Sequence, residues 1–420
     1  MSVWFARCLL TAWWLYDRLL PKRVDHWAFF VHPLKTDQFV ENARAVFEQV
    51  KNDPACCKVI FTRGTATELN LDGGSNVHLV DLQSLRGLAW LSRCGVLLLT
   101  NSVALDASWR WRDGRFAVLR PSLSRRIVVN LWHGIPLKRL FALTRSELRR
   151  HVDRVELRRK ERAHYRGLIS SSDVDSHAMA AMFHPIDPAS VWITGLPRND
   201  FLRMPDAALP GFLSKEVQEI RALKRGRRLI VYAPTYRESS VETARYYQFS
   251  DEEVERLREL LRRHDAVLGF RMHYFRKGEQ LFNLEHYVDD DSIIDLGHAR
   301  ISEIAPVLRE ADMLVTDYSS VYIDALYIDK PVFSFAYDLE HYQSRENGLL
   351  YDLQLAFPGP VNRSFDELLE ALDQELSLSR QLSSERYRMV RKFFFNYQDD
   401  GNSRRVVERL KNLMTEARNV

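Results

Sequence analysis

Short apolar runs alternate with amphipathic helical patterns along most of the chain. Helical patterns such as Gln38–Lys51 and Glu252–Arg263 separate many of these runs, and strands that alternate with helices predict parallel sheets joined by right-handed crossovers. The runs with the length and composition of buried strands are Trp27–Val31, Lys58–Thr62, Gly95–Thr100, Arg126–Leu131, Gly167–Ser170, Val191–Thr194, Leu229–Tyr232, Ala266–Arg271, Met313–Thr316 and Pro331–Phe335.

The length of the chain and one proline-containing stretch divide this pattern into two halves. At 420 residues the chain exceeds the ~250–300 residues at which a single core stops growing. The break is expected between Phe201 and Arg227, where Pro205 and Pro210 accompany a charged stretch. A final amphipathic pattern, Ser403–Leu413, is expected to dock its apolar face on the fold. The prediction is an α/β fold whose units are an amphipathic segment at 1–21, Rossmann-like domains at 22–205 and 206–385, and a helical segment at 386–420.

The amino-acid composition excludes several classes of protein and partner. Apolar residues make up 46% and charged residues 28%, which is typical of a globular protein and excludes disordered, collagen-like and polytopic membrane chains. The net charge is only +4, so a nucleic-acid partner is not expected. The four cysteines form no CxxC pair, which disfavours a disulfide framework or a zinc site and favours a reducing, cytoplasmic compartment.

Two segments of the chain are compatible with a membrane contact, but each also has another interpretation. The uncharged run Cys8–Tyr16 is far shorter than the ~20 residues of a spanning helix, and the N-terminus has no secretory signal pattern. Its tryptophans and arginines fit either an interfacial helix on a membrane or a first helix packed on its own domain. The charged stretch Arg145–Arg166 fits either a solvated helix with internal ion pairs or a basic face beside anionic lipid headgroups or an anionic polymer.

Polar, turn-forming motifs follow six of the predicted strands. Open α/β sheets bind ligands at the carboxyl ends of their strands, so these motifs are expected to share one site. They are Trp132-His133-Gly134-Ile135-Pro136-Leu137-Lys138, Gly195-Leu196-Pro197-Arg198-Asn199-Asp200, Ala233-Pro234-Thr235-Tyr236-Arg237, Arg271-Met272-His273, Asp317-Tyr318-Ser319-Ser320 and Tyr337-Asp338.

The residue types in these motifs indicate a phosphate-rich ligand. Ser319 or Ser320 is expected to cap a helix whose first N–H groups form an anion site. Asp324 lies one turn further on the face of Ser320, where a carboxylate accepts hydrogen bonds from sugar hydroxyls. The arginines that could donate to phosphate are Arg198, Arg237 and Arg271.

Two histidines add acid–base chemistry to this set. His133 and His273 each follow a strand, and imidazole transfers protons near neutral pH. Taken singly, each motif has an ordinary explanation: a helix cap, a structural histidine or a surface ion pair. Six of them together favour a phosphate ligand held between two domains. There is no P-loop, GxGxxG, HExxH or Cys/His cluster, so we expect a metal-independent site without a dinucleotide cofactor.

The same motifs, in order, resemble a known enzyme family. Residues 132–138 are similar to the WHGxPLK motif of the CDP-glycerol glycerophosphotransferase family of teichoic-acid and capsule synthesis. Residues 195–200 resemble its GxPRND motif, 233–237 its APTxR motif, and 316–320 its TDYSS block. The resemblance covers roughly residues 22–412.

The resemblance implies a GT-B-like fold and a specific reaction. A glycerol-phosphate or ribitol-phosphate unit would pass from a CDP-activated donor to a hydroxyl of a lipid-linked saccharide or growing polymer, with release of CMP. The CDP-polyol is then a substrate, and no further cofactor is implied. The enzyme would lie on the inner face of a bacterial membrane. Because the family's extra N-terminal glycosyltransferase domain is missing, we expect a primase or a short polymerase.

Residue roles follow from the resemblance. His133 corresponds to an essential histidine, a general base on the acceptor hydroxyl. His273, with Arg271, corresponds to a second essential histidine that would bind the diphosphate or stabilise developing charge. Further candidates are Lys138, Arg237 and Asp317. The implied donor-binding positions are Trp132, Gly134, Ile135, Pro136, Arg198, Pro234, Thr235, Arg271, Ser319, Ser320 and Asp324.

Two departures from the family pattern bear on the substrate rather than the reaction. Arg271-Met272-His273-Tyr274 stands where lysine, an apolar residue, histidine and proline are usual, and Leu196 replaces a frequent aromatic residue. The alternatives are a GT-B glycosyltransferase that uses a nucleotide sugar and a scaffold that has kept the fold without activity. The identity of the donor distinguishes the glycosyltransferase from a CDP-polyol transferase. Tight binding of a CDP-polyol without turnover would indicate the inactive scaffold.

Overall fold

Two parallel sheets organise the chain in the computed structural model. The model describes residues 3–32, 38–64, 69–110, 116–144, 158–235, 246–272, 282–289, 291–345, 348–378 and 384–418. The strands within these residues are β1 Arg23–Phe30, β2 Cys57–Thr62, β3 Val77–Asp81, β4 Cys94–Leu99, β5 Ser108–Arg110, β6 Phe116–Val118, β7 Ile127–Asn130, β8 Tyr165–Ser170, β9 Val191–Ile193, β10 Arg228–Tyr232, β11 Ala266–Phe270, β12 Ile293–Asp295, β13 Met313–Thr316, β14 Val332–Phe335 and β15 Val361–Asn362. Seven of them form the first sheet in the order β3-β2-β1-β4-β7-β8-β9, and six form the second in the order β12-β11-β10-β13-β14-β15.

All ten predicted strands are present. Nine of them are central, and central parallel strands are buried on both faces; the tenth, β9, lies at an edge of the first sheet. Every residue of β2 and β4 is buried, and such strands appear in a sequence as unbroken apolar runs. The strands that the pattern missed include β3, β12 and β15, which lie at sheet edges. β3 has only one buried residue, and the other two are three and two residues long, so none produces a clear apolar run.

Helices connect the strands and cover both sheets. The two predicted helices are present at Glu41–Val50 and Asp251–Arg263, and the second begins with a capping box between Ser250 and Glu253. The other helices are Val3–Leu19, Leu85–Arg93, Val103–Asp106, Asp173–Met182, Asp200–Arg203, Gly211–Lys224, Ile304–Glu310, Val321–Tyr327, Leu339–Arg345, Leu353–Ala356, Phe365–Ser377, Glu385–Phe394 and Asn402–Arg418.

The C-terminal helix returns to the first half of the fold. Val406 and Leu410 are completely buried, as the amphipathic pattern predicted. The Asp200 carboxylate accepts hydrogen bonds from the N–H groups of Asn402 at 2.9 Å and Ser403 at 2.8 Å. The docking of this helix is therefore confirmed. The residue limits of the domains, with a break near 205, stay predictions.

One face of the N-terminal helix Val3–Leu19 packs on the first domain. Trp13 is buried, and its Nε1 donates to the carbonyl oxygen of Leu88 at 3.0 Å and to Ser92 Oγ at 2.9 Å. Asp17 is also buried, where it pairs with Arg126. For this face, the structure agrees with the interpretation of the segment as a first helix packed on its own domain. None of the described helices has both the length and the apolar character that crossing a membrane requires. Residues 145–157 of the basic stretch lie outside the described residues.

Candidate active site between the two sheets

A cleft of about 280 Å³ opens where the carboxyl ends of the two sheets face each other. It receives residues from the turns after β7, β9, β10, β11 and β13, as the strand-end argument predicted, and also from the turn after β4. The sixth predicted motif, Tyr337-Asp338 after β14, does not line this cleft. Its lining residues are His32, Val40, Glu41, Asn101, His133, Arg198, Ala233, Pro234, Arg271, His298, Ser302, Glu303, Ile304, Ser319, Ser320, Val321 and Asp324.

A sharp turn after β7 presents His133 to the cleft. Asn130 Oδ1 accepts the N–H of Trp132 at 2.8 Å, and Trp132 adopts a left-handed backbone with φ of 46°. Asn42 Nδ2 fixes the turn by donating to the carbonyl oxygens of Leu131 at 2.9 Å and Trp132 at 3.0 Å. The backbone is therefore held on both sides of the residue that precedes His133.

The environment of His133 suits a general base. The side chain is exposed to the cleft, while its ring lies 3.9 Å from the Trp132 ring, centroid to centroid. The surrounding protein removes water from the imidazole, and this desolvation lowers the pKa of His133 below its ordinary value. Nδ1 lies 3.4 Å from the carbonyl oxygen of Thr100, which can only accept, so the proton is assigned to Nδ1. Nε2 then carries the lone pair that takes up a proton.

Arg198 joins the two halves of the site. Its Nη1 donates to the carbonyl oxygen of His133 at 2.7 Å, and its Nη2 pairs with Asp324 Oδ2 at 2.6 Å. Burial opposes the charge of this guanidinium, but Asp324 and Glu41 outweigh burial and raise the pKa of Arg198. Gly134 permits this approach, because a Cβ there would lie 3.3 Å from Arg198 Nη2. The residue expected to bind phosphate is thus also an interdomain clamp.

The turn after β13 brings two hydroxyl groups to the cleft. The buried carboxylate of Asp317 accepts the N–H groups of Thr235 and Tyr318, which locks the turns after β10 and β13 together. Ser319 Oγ accepts the N–H of Val321 at 3.4 Å, whereas Ser320 makes no capping bond. Asp317 is therefore a structural residue, and both serines line the cleft beside the Arg198 pair.

Arg271 lines the cleft but is engaged chiefly with the loop after β12. Nη1 donates to the carbonyl oxygens of Leu296 and Ile301, and Nη2 lies 3.0 Å from His298 Nδ1. Burial lowers the pKa of Arg271 to about 10, so the group remains charged at neutral pH. It positions the loop that presents His298 and Ser302 to the cleft. Its predicted contact with the diphosphate stays a prediction.

Several residues that were predicted to contact the donor substrate lie beside the cleft rather than in it. Ile135 is part of the core, and the Trp132 ring packs on Phe141 and Phe183. The Lys138 ammonium lies 5.4 Å from the Tyr342 ring centroid. Among the rest, Pro234 lines the cleft, Pro136 and Thr235 are buried, and Arg237 and His273 lie outside the described residues.

The sequence argument missed residues that only the tertiary fold brings to the cleft. Glu41 and Glu303 meet there, and the N–H of Glu41 donates to Glu303 Oε1 at 2.6 Å. Burial raises the pKa of Glu303 to about 7. Neither follows a strand directly, so no strand-end signal marks them. Asn101 comes just after β4 and could have been found by the same rule that found His133. Among the described residues, no group of acidic, histidine or cysteine side chains is arranged to hold a metal ion.

Comparison with known proteins shows which family this chain resembles. The model of the CDP-glycerol:poly(glycerophosphate) glycerophosphotransferase family matches residues 17–412. Teichoic acid ribitol-phosphate polymerase TarK of Staphylococcus aureus is 29% identical over 286 residues, which are 67% of this chain and 52% of the relative. A teichoic acid poly(glycerol phosphate) polymerase of Bacillus spizizenii is 26% identical over 387 residues, 89% of each chain.

The solved structure of the wall teichoic acid polymerase TagF shares the fold. It superposes with a TM-score of 0.74 at 19% identity, over 97% of this chain and 93% of that chain. The GT-B-like arrangement of two Rossmann-like sheets is thereby confirmed. This chain spans about half the length of the first two curated relatives, 52% and 47%. The family match extends over most of the sequence, and the chain belongs to the CDP-glycerol:poly(glycerophosphate) glycerophosphotransferase family.

Proposed function

We propose that this chain transfers a polyol-phosphate unit from a CDP-activated donor to an acceptor hydroxyl and releases CMP. The observation that carries the proposal is the position of His133, a histidine with a lowered pKa that shares one cleft with Arg198, Ser319 and Ser320. A base beside several donors to phosphate is what this reaction needs, because phosphoryl transfer depends on positioning and charge stabilisation. The acceptor is a lipid-linked saccharide or a growing polyol-phosphate chain.

The reaction balances with the groups in the cleft. The acceptor oxygen attacks the phosphorus that carries the polyol, and Nε2 of His133 takes the hydroxyl proton. The bond from that phosphorus to the bridging oxygen breaks, and this oxygen leaves with CMP. A new phosphodiester joins the polyol to the acceptor. Arg198 and the hydroxyls of Ser319 and Ser320 are the groups that would stabilise the negative charge on the phosphoryl oxygens.

Donor selectivity tests the proposal against the glycosyltransferase alternative. We expect calorimetric titration to detect binding of CDP-glycerol or CDP-ribitol, and no binding of UDP-N-acetylglucosamine at the same concentration. The relatives include enzymes of both polyols, so both CDP-polyols are compared in parallel. Selective binding of the nucleotide sugar would contradict the proposal and favour a glycosyltransferase.

We also propose that the outer face of the N-terminal helix docks the enzyme on the cytosolic face of a membrane. Trp14, Leu15, Tyr16 and Leu19 are 38%, 54%, 40% and 81% exposed, although the opposite face of the helix is packed. Arg18 lies over the Trp14 ring at 3.6 Å. Aromatic and aliphatic side chains interleaved with arginine are typical of helices that lie in a membrane interface. All four cysteines are free thiols, which fits a reducing compartment.

Replacing Trp14 and Leu19 together by glutamine is expected to lower binding to vesicles of anionic lipid by at least about tenfold, because two apolar side chains no longer enter the interface. Vesicle co-sedimentation measures this loss. Transfer to a soluble acceptor should stay unchanged. Leu355→Gln, at another exposed leucine, is the matched control and should bind as the unmodified chain does. Equal vesicle binding by all three proteins would contradict the docking proposal.

A further inference from the structure

A second cavity adjoins the cleft through the wall that contains His133. It has a volume of about 210 Å³, and His133 and Asn101 line both spaces. Aromatic residues form much of its surface, among them Trp132, Phe141 and Phe183. A molecule in this cavity would therefore approach the imidazole from a different side than a donor in the cleft.

The cavity contains a buried arginine that forms no ion pair with another described residue. Arg162 is only 5% exposed, and its guanidinium lies 4.1 Å from the Phe141 ring centroid and 5.2 Å from that of Phe183. Within the described part of the chain, no carboxylate lies at ion-pair distance from it. Burial lowers the pKa of Arg162 to about 10, so the group still carries its charge at neutral pH.

The neighbouring carboxylate has other partners. Glu161 accepts hydrogen bonds from the hydroxyl of Tyr165 and from the N–H of Val103, the latter at 2.8 Å. Burial raises the pKa of Glu161. Arg158, half-buried, lines the same cavity and adds a second positive charge. Among the residues that the structure describes, Arg162 thus has no carboxylate at ion-pair distance, although the charge of Glu161 acts on it from further away. A buried charge without an ion-pair partner is costly to keep unless a ligand neutralises it.

We propose that this cavity binds a phosphodiester group of the acceptor through Arg162. The inference rests on the proposed transfer reaction and specifies where the acceptor lies. A planar guanidinium donates two parallel hydrogen bonds to phosphate oxygens, and the flanking rings hold it in one orientation. A chain of polyol phosphates carries a phosphodiester next to its terminal polyol. With that phosphodiester at Arg162, the terminal hydroxyl reaches His133 at the shared wall, opposite the donor.

Arg162→Met is expected to raise the KM for a short glycerol-phosphate oligomer by at least about tenfold, since a bidentate charged contact is lost. Donor KM and kcat should stay near those of the unmodified enzyme. Arg162→Lys keeps the charge without the planar fork and should give a smaller rise. Arg166→Met removes an exposed arginine nearby and is the matched control.

A binding measurement separates this inference from the proposed function. Calorimetric titration of the same oligomer into each protein, with CDP present to occupy the donor site, requires no turnover. Loss of oligomer binding in Arg162→Met, with CDP binding retained, supports the phosphate site even if no CDP-polyol is turned over. Unchanged oligomer affinity in a folded Arg162→Met, or a donor KM that rises equally, would overturn it. If Arg162→Met does not fold, unchanged oligomer affinity in Arg162→Lys would overturn it as well.

Discussion

His133→Ala is expected to lower the rate of CMP release by about 10²–10⁴-fold, the usual contribution of a general base. The reason is that the variant lacks the group proposed to take the acceptor proton, while Arg198, Ser319 and Ser320, which line the cleft, stay available to bind the donor. Donor affinity, measured by calorimetric titration of CDP-glycerol, should therefore stay near its original value. Single-turnover CMP release measures the chemical step directly.

His177→Ala is the matched control for this variant, because His177 is an exposed histidine on the helix Asp173–Met182. It should release CMP as the unmodified enzyme does. A His133→Ala enzyme that keeps full turnover but loses donor affinity would show that the histidine binds the donor instead of acting as a base.

The pH dependence gives a second test of the same role. Since desolvation by the surrounding protein lowers the pKa of His133, the active neutral form should predominate above the ordinary histidine value of 6.5. As the pH falls through the lowered pKa, imidazole becomes protonated and kcat/KM should fall. The acid limb is therefore expected below pH 6.5, with a plateau at neutral pH. An acid limb centred above 6.5 would contradict the assignment.

Arg198→Met is expected to destabilise the fold by about 3–5 kcal/mol, because it leaves the Asp324 carboxylate buried without its partner. These two side chains are 11% and 5% exposed, and the pair links β9 of the first sheet to the helix after β13. Transfer activity should be lost as well, since the same guanidinium donates to the His133 carbonyl oxygen and lines the cleft in which we propose that the donor binds. Urea unfolding, followed by circular dichroism, measures the stability change.

An exposed ion pair supplies the control for the loss of stability expected in Arg198→Met. Arg404 pairs with Glu408, and the side chains are 60% and 58% exposed, so Arg404→Met should change stability by less than about 1 kcal/mol. The double variant Arg198→Met with Asp324→Leu should recover part of the stability without recovering activity. An Arg198→Met protein as stable as the unmodified chain would contradict the clamp.

The sequence predicted the central strands and several site residues at the ends of strands. The edge strands and the remaining cleft residues depend on tertiary packing, which the sequence pattern does not show. β2 and β4 are buried throughout, whereas the edge strands β3, β12 and β15 are short or half-exposed and leave no clear pattern. His133, Arg198 and Ser320 were found because each closely follows a strand. Glu303 could not be found in this way, because it reaches the cleft only through the loop that Arg271 holds.

Burial also explains why some predicted contacts are not in the cleft. Ile135 and Trp132 belong to a motif expected to face the donor, yet their side chains pack into two apolar clusters, and the cluster that contains Ile135 extends over both sheets. A motif specifies the path of the backbone, and alternate side chains along it serve the core. The roles of His273 and Arg237 stay predictions.

Release of CMP, measured in parallel with CDP-glycerol and CDP-ribitol, tests the central claim most directly. The assay uses a lipid-linked saccharide or a short polyol-phosphate oligomer as acceptor, and an acceptor-free reaction as control. We predict acceptor-dependent CMP from at least one donor, which would establish both the reaction and the polyol. Failure to release CMP from either donor with any acceptor, by a folded enzyme that binds them, would contradict the transfer reaction.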